Sequence, residues 1–262
     1  WSGTLGTGVA AKDMALIMCA KLGMEGGDYQ AIQYTGETVK DLGMMERMTL
    51  CNMAAELGAQ TGIIEPDEVT ARYVVGVGVE LTSWKDIKSD TDAEYLCIYE
   101  FDADKLKPQV AAPHSPSNAM DVDNVDKTAI DQFYIGACTG AKLSDLKMVA
   151  DTLKGNKVAQ GKRLTVAPAS SQIMAEATRL GIMQILLDAG ANMLPTGCGA
   201  CAGYGIGVLA EDEVCLASTA RNFQGRMGAK SSKVYLASPY TVAASAIKGC
   251  ITDPREVLGE MP

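Results

Sequence analysis

The sequence predicts an α/β fold of two α/β/α layered domains with mostly parallel sheets. Two patterns predict it. Helical periodicity alternates with short apolar runs, and the runs in the carboxy-terminal half are continuously apolar rather than alternating. Such runs are typical of strands that helices cover on both faces. With 262 residues, 47% of them hydrophobic, the chain can fill one large core or two of ordinary size.

The amino-terminal half reads as helix, strand, helix, strand and helix up to about residue 76. The segments that carry these elements are, in chain order, VAAKDMALIMCAKLG, AIQYTG, MMERMTLCNMAAELGA, TGIIE and PDEVTARYVV. The last has proline at its first turn, where a helix tolerates it. Residues 92–102, DAEYLCIYEFD, predict a further strand.

A polar, proline-bearing segment follows and predicts a domain boundary. It runs from Lys105 to about Lys127, so we expect a domain at 1–104, a linker at 105–127 and a second domain at 128–262. In the second domain the predicted strands are QFYIGAC, RLTVAPAS, VCLAST and KVYLAS. The predicted helices are LSDLKMVADTLKG, YTVAASAIKG and one or two within SQIMAEATRLGIMQILLDAGA.

Charge and hydropathy exclude two classes of partner. A formal charge of -9 without a basic block argues against nucleic acid, whose phosphates need clustered Lys and Arg. The most apolar stretch is broken by Pro239 and Lys248, which predicts a strand, a turn and a helix rather than a membrane span. Eight cysteines without a leader predict a reducing compartment, cytoplasm or plastid stroma.

Three of the cysteines stand out. The other five lie among apolar neighbours and are predicted to be inert packing: Cys19, Cys51, Cys97, Cys215 and Cys250. Cys138 directly follows a predicted strand, and Cys198 and Cys201 form C-x-x-C in the Gly-rich segment after the short run ANML. Since ligands bind beyond the carboxyl ends of parallel strands, we expect the three sulfurs to converge there.

The C-x-x-C pair alone fits zinc, an iron–sulfur cluster or a dithiol switch. A structural zinc wants four ligands, and the single histidine, His114, is predicted to be a solvated loop residue. A dithiol switch needs no third cysteine. An iron–sulfur cluster on three thiolates leaves one iron open as a Lewis acid, which favours hydroxyl-elimination chemistry.

Several separated motifs in the same order resemble the aconitase and 3-isopropylmalate dehydratase superfamily, and most closely its 3-isopropylmalate dehydratase large subunits. They are MMERMTLCNMAAELGAQTGIIEPDE, YIGACTGAKLSDLKMVADTLKGNKVA, GCGACAGYGIGVLA and STARNFQGRMGAKSSKVYLASPYTVAASAIKGCITDPRE. The resemblance implies aconitase-like domains 2 and 3. It also implies a [4Fe-4S] cluster on Cys138, Cys198 and Cys201.

The resemblance assigns four further residues. Asn52 and Glu56 fall where the family places an Asn and a Glu near cluster and substrate, and Arg221 and Arg226 fall on its substrate-binding arginines. From the residues alone, Glu56 reads as an exposed helix charge. Two motifs depart from the commoner pattern: Ala220 precedes Arg221 where Asn is usual, and CTGAK, which resembles the plant and algal type, replaces CTNSR.

The implied activity is a hydro-lyase step that interconverts 2- and 3-isopropylmalate in leucine biosynthesis. Homoaconitase, 2,3-dimethylmalate dehydratase and aconitase stay open as alternatives, as do an RNA binder, a zinc protein and a catalytically silent fragment. The resemblance further implies a small subunit with a swivelling domain, and an amino-terminal domain that we expect this chain to lack. We therefore expect the isolated chain to turn over no isopropylmalate.

Overall fold

The computed structural model describes residues 1–80 and 83–259. In this part of the chain, the strands form a seven-stranded sheet of order β4-β3-β9-β8-β5-β6-β7 and a two-stranded parallel sheet of β1 and β2. The strands are β1 Ala31–Gln33, β2 Thr61–Ile63, β3 Gln109–Ala111, β4 Ala119–Asp121, β5 Gln132–Gly136, β6 Arg163–Ala167, β7 Asn192–Met193, β8 Val214–Ala217 and β9 Lys233–Ala237. The central pairs β5–β6, β5–β8, β6–β7 and β8–β9 are all parallel. The predicted mostly parallel α/β fold is confirmed.

Helices connect and cover the strands. They are α1 Ala11–Leu22, α2 Glu37–Asp41, α3 Met44–Met53, α4 Glu68–Gly76, α5 Ala137–Gly140, α6 Leu143–Leu153, α7 Ser171–Arg179, α8 Ile182–Ala189, α9 Pro239–Lys248 and α10 Arg255–Leu258. No helix in the described ranges is long and apolar enough to cross a membrane.

Helix α1 lies at the centre of the molecule. Its first turn is closed by Asp13, whose carboxylate accepts a hydrogen bond from the backbone N–H of Ala10 at 2.8 Å. The other oxygen of Asp13 accepts from the N–H of Gln109 at 2.7 Å, which ties the helix to β3. Gly23, at φ +76°, ends the helix in a left-handed conformation that glycine adopts without strain.

Two parts of the predicted topology differ from the structure. Residues 92–102, predicted as a strand, form no strand, and Leu96 and Ile98 are 84% and 74% exposed. That prediction was wrong because the apolar side chains have no opposing face to pack on. The predicted linker at 105–127 contributes β3 and β4, which extend the large sheet in antiparallel fashion. The division into domains stays a prediction.

Candidate functional site

Cys138 lies on a tight turn at the carboxyl end of β5. Strand β5 ends at Gly136. The next residue, Ala137, has φ +62°, a conformation that side-chain-bearing residues rarely adopt, and the single-turn helix α5 begins there. A Cβ at Gly136 would lie 1.9 Å from the ring of Tyr134, and one at Gly140 would lie 2.2 Å from the hydroxyl of Ser218. The turn therefore requires both glycines, and it leaves the Cys138 side chain exposed.

The two cysteines of C-x-x-C lie on a single 3-10 turn after β7. The turn spans Gly199–Ala202, with Cys198 immediately before it and Cys201 within it. Glycines at positive φ enter and leave it, which explains the Gly-rich sequence: Gly197, Gly199 and Gly203. Tyr134 of β5 donates a hydrogen bond from its hydroxyl to the carbonyl of Cys198 at 3.4 Å, so this loop is fastened to the same strand that presents Cys138.

The three thiols lie within reach of each other's charge. Burial raises the pKa of Cys201, the guanidinium of Arg226 opposes that shift, and charge on Cys138 or Cys198 raises the pKa further. All three are free thiols, with Cys138 and Cys198 exposed and Cys201 half-buried. They follow β5 and β7, two strands whose carboxyl ends share one edge of the parallel sheet.

The three thiols are free to act as ligands. Within residues 1–80 and 83–259, no three His, Cys, Asp or Glu side chains are grouped closely enough to hold one metal ion. One zinc ion would hold each sulfur at about 2.3 Å. A [4Fe-4S] cluster gives each thiolate an iron of its own, so its ligands stand farther apart. The role of the three thiols as ligands stays a prediction.

Asn52 and Glu56 approach the thiols from the amino-terminal half of the chain. The Cys138 thiol lies 3.8 Å from the Asn52 side-chain oxygen, within reach of a weak S–H···O hydrogen bond. Asn52 is the penultimate residue of α3, whereas Glu56 lies in the 3-10 turn Ala54–Leu57 that follows. Glu56 is only 2% exposed, so the structure contradicts the exposed helix charge that the residues alone suggest. It is buried because Arg221 neutralises it.

Both predicted arginines are held through Nε. Arg221 donates from Nε to the carboxylate of Glu56 at 2.7 Å, and Arg226 donates from Nε to the carbonyl of Cys201 at 3.0 Å. Within the described ranges, the terminal Nη atoms of both side chains have no hydrogen-bond partner. Arg226, held on Cys201, and Arg221, held on Glu56, thus keep their paired Nη donors, the arrangement that binds a carboxylate in bidentate fashion.

Sequence reasoning missed two buried lysines at this site. Lys12 of α1 is 2% exposed and donates to the carbonyls of Ser218 and Thr219. Lys142, 4% exposed, forms an ion pair with Asp145 at 2.7 Å and donates to the carbonyl of Cys138 at 3.3 Å. The available signal for Lys12 was the charged pair KD inside the otherwise apolar first turns of a predicted helix.

Of the remaining predictions, those for four cysteines and for His114 agree with the structure, and the one for Cys97 does not. Cys19 and Cys215 are buried and Cys51 and Cys250 are partly buried, which agrees with packing. Cys97 is exposed, so the prediction of burial was wrong there, because residues 92–102 form no strand. His114 is exposed, as predicted for a loop residue.

This chain is similar to curated proteins that are named as large subunits. The 3-isopropylmalate dehydratase large subunit 1 of Methanopyrus kandleri is 46% identical over 257 residues, which cover 98% of this chain and 61% of the relative. The "Probable methanogen homoaconitase large subunit" of Methanosarcina mazei is 45% identical over 255 residues, covering 97% of this chain and 64% of the relative. The chain thus spans less than two thirds of the length of these relatives.

A solved structure and a family model complete the comparison. The crystal structure of Thermococcus kodakaraensis aconitase X in its holo-form matches with a TM-score of 0.45 and 14% identity, covering 100% of this chain and 54% of that one. The model of the aconitase family (aconitate hydratase) matches residues 1–129 and 123–249. With nearly the whole chain matched, and with the motifs on both halves meeting at one sheet edge, the chain belongs to the aconitase family.

Proposed function

We propose that this chain is the cluster-binding part of a hydro-lyase large subunit that interconverts 2- and 3-isopropylmalate by dehydration and rehydration. The observation that carries the proposal is the grouping of three free thiols with two arginines that keep their Nη donors. The thiols supply a ligand set, and the arginines supply receptors for the two carboxylates of a malate-like substrate. The similarity to 3-isopropylmalate dehydratase large subunits supports the choice of substrate.

The chain's own residues have separate tasks in this proposal. Cys138, Cys198 and Cys201 would hold a [4Fe-4S] cluster, which when bound supplies a Lewis-acidic iron for the substrate hydroxyl. Arg221 and Arg226 bind carboxylates through Nη, and neither loses an Nη donor to its anchoring contact, which uses Nε.

Glu56 has a positioning task. Its buried carboxylate accepts from Arg221 at 2.7 Å and fixes the plane of the guanidinium, so that the free edge faces one direction. Asn52 brings an amide near the Cys138 thiol, where it can donate to a substrate oxygen.

Elimination also needs a base that removes the proton next to a carboxylate and an acid that protonates the leaving oxygen. We propose that these groups lie on the part of the relatives' length that this chain does not span and on a small subunit. Groups that act as a unit are strongly non-additive, so the chain alone is expected to bind without turnover.

Homoaconitase is the second candidate, and the Methanosarcina mazei relative favours it. Both reactions need the same thiols and carboxylate receptors, and they differ in the substrate's side chain. Calorimetric titration of the reconstituted chain with 2-isopropylmalate and with homocitrate separates them. Tighter binding of homocitrate would favour the alternative.

Anaerobic reconstitution tests the cluster. The chain is incubated with iron and sulfide, and bound iron, bound sulfide and the thiolate-to-iron charge-transfer absorbance are measured. We expect about four irons and four sulfides per chain, lost in Cys138→Ser and in Cys201→Ser. The matched control is Cys97→Ser, an exposed cysteine outside the site, which should bind as wild type. Binding of one zinc and no sulfide, or equal loss in the control, would refute the proposal.

A further inference from the structure

A single dipeptide, Ser218–Thr219, connects the elements of the candidate site. Its residues are fully buried just after β8. The Ser218 hydroxyl accepts from the N–H of Gly136 at 3.1 Å and donates to the carbonyl of Gly140 at 3.0 Å, so it closes the turn on which Cys138 lies. We refer to Ser218–Thr219 and these contacts as the Ser218 junction.

The junction also reaches the other two groups of the site. The backbone N–H of Ser218 donates to the carbonyl of Tyr134 at 3.0 Å, and the hydroxyl of Tyr134 holds the carbonyl of Cys198. The hydroxyl of Thr219 donates to the carbonyl of Arg221 at 3.4 Å. This contact positions the backbone from which the Arg221 side chain extends. Displacement of these two residues would therefore move the thiols and the arginine together.

One side chain from the amino-terminal half fastens the junction. Lys12 extends from α1 and donates from Nζ to both junction carbonyls, those of Ser218 and Thr219. The contact spans more than 200 positions in the sequence. The groups that act most strongly on its ammonium are Glu56, Cys19, Lys142 and Cys201, and Lys12 in turn opposes the rise that burial causes in the pKa of the carboxyl groups of Asp13 and Asp145. Each of these three carboxyl groups has another partner: Glu56 pairs with Arg221, Asp145 pairs with Lys142, and Asp13 accepts from the N–H groups of Ala10 and Gln109.

We propose that Lys12 is a positioning residue: its ammonium group holds the Ser218 junction, and through it the Cys138 turn and Arg221, in the geometry that binds an anionic ligand. The ammonium itself meets two carbonyls, and the carboxyl groups near it are held by other partners, so Lys12 adds positive charge to the site. That charge suits a dicarboxylate. In so far as the ligand is a dicarboxylate, the inference rests on the proposed function.

Amide hydrogen exchange of the metal-free chain tests the positioning role directly. Lys12→Met removes both hydrogen bonds, and we expect the N–H groups of Gly136 and Ser218 to exchange at least about tenfold faster, the scale of a lost charge-assisted hydrogen bond. The matched control is Ser245→Ala. Ser245 is equally buried and accepts from the N–H of Thr252 at 2.9 Å, on α9 and away from the junction.

Lys12→Gln keeps N–H donors without the charge, and it replaces Lys12→Met in the experiment if Lys12→Met does not fold. The inference is overturned if Lys12→Met, or Lys12→Gln where Lys12→Met does not fold, accelerates the two amides no more than the control does, once all rates are corrected for the measured global stability. It is supported if the acceleration is confined to the junction amides and the Cys138 turn.

A pH profile separates positioning by charge from mere structural support. Burial lowers the pKa of Lys12 to about 8, so its charge is lost as the pH rises above that value. Malate is titrated into wild type and Lys12→Met between pH 7 and pH 9.5. We expect the variant to bind about tenfold more weakly at pH 7, with the gap closing toward pH 9.5. The two proteins differ only at residue 12, so the comparison isolates Lys12.

A ratio of affinities that stays constant across this range would overturn the charge role. Absence of malate binding by the wild-type chain would instead count against the proposed function. The exchange measurement needs no ligand, so it still decides whether Lys12 positions the junction.

Discussion

Replacing Arg221 should destabilise the chain more than replacing its ion-pair partner Glu56. The Glu56 side chain is 2% exposed, whereas the Arg221 side chain is 38% exposed. Arg221→Met strands a carboxylate in the interior, while Glu56→Gln leaves a guanidinium that can turn toward water. Breaking a buried pair costs about 3–5 kcal/mol. We expect about 3 kcal/mol for Arg221→Met, the lower end, because the charge of Lys12 remains close.

Glu56→Gln should cost about 1.5 kcal/mol, roughly half as much. The Gln side-chain oxygen still accepts from Nε of Arg221, so a charge-assisted bond is weakened rather than lost. The variant also removes a counter-charge from Lys12. Since the pKa of Lys12 is about 8, loss of its proton near pH 7.5 limits that penalty to below about 1 kcal/mol.

Urea unfolding followed by circular dichroism at pH 7.5 measures both values. With a slope of about 3 kcal/mol per molar urea for a chain of this size, the midpoints should fall by about 1 M and 0.5 M. Arg179→Met is the control, because Arg179 pairs with Glu176 on the surface, at 69% and 38% exposure, where a pair contributes below about 1 kcal/mol. The reasoning is refuted if Glu56→Gln lowers the midpoint as much as Arg221→Met.

Three further results are expected. Burial raises the pKa of Asp13 to about 7, so between about pH 4 and 7 the folded chain keeps a proton that the unfolded chain has lost. The free energy of unfolding then falls by up to about 4 kcal/mol as the pH rises through this range. In Asp13→Asn the urea midpoint should change less with pH over the same range. Gly136→Ala forces a methyl group against an aromatic ring of β5 and should lower the melting temperature by several degrees, whereas Gly43→Ala, with open space around it, should not. Burial raises the pKa of Cys19 to about 12, so iodoacetamide at pH 8, followed by mass spectrometry, should label Cys97 at once and Cys19 only after unfolding.

The sequence predicted the parts of the fold whose signal is local. Strands β5, β6, β8 and β9 come from continuous apolar runs, and such runs have few alternatives to the interior of a parallel sheet. The same argument failed for residues 92–102, because apolar content alone does not supply a surface to pack against. The short strands β3 and β4 carry too few residues for any periodicity.

Only the site residues that belong to a motif or directly follow a predicted strand could be predicted from the sequence. Cys138 could be placed because it directly follows a buried run, and the C-x-x-C pair because its glycines demand a loop. The burial of Glu56 depends on an arginine 165 positions away, and that of Lys12 on carbonyls after β8. Spacing along a helix carries no information about partners at such separations.

The long reach of Lys12 has a consequence for synthesis of the chain. Its carbonyl partners lie 206 and 207 positions downstream, and the core around α1 includes Cys215, Met227 and Leu236. On a ribosome that adds about 5–20 residues per second, roughly 10–40 s separate the appearance of α1 from that of its partners. During that interval α1 can pack against α3 but not against β9 or the segments around Cys215 and Met227. Helix α1 is thus fixed long after it leaves the ribosome, which makes its segment a substrate for chaperones that bind nascent chains.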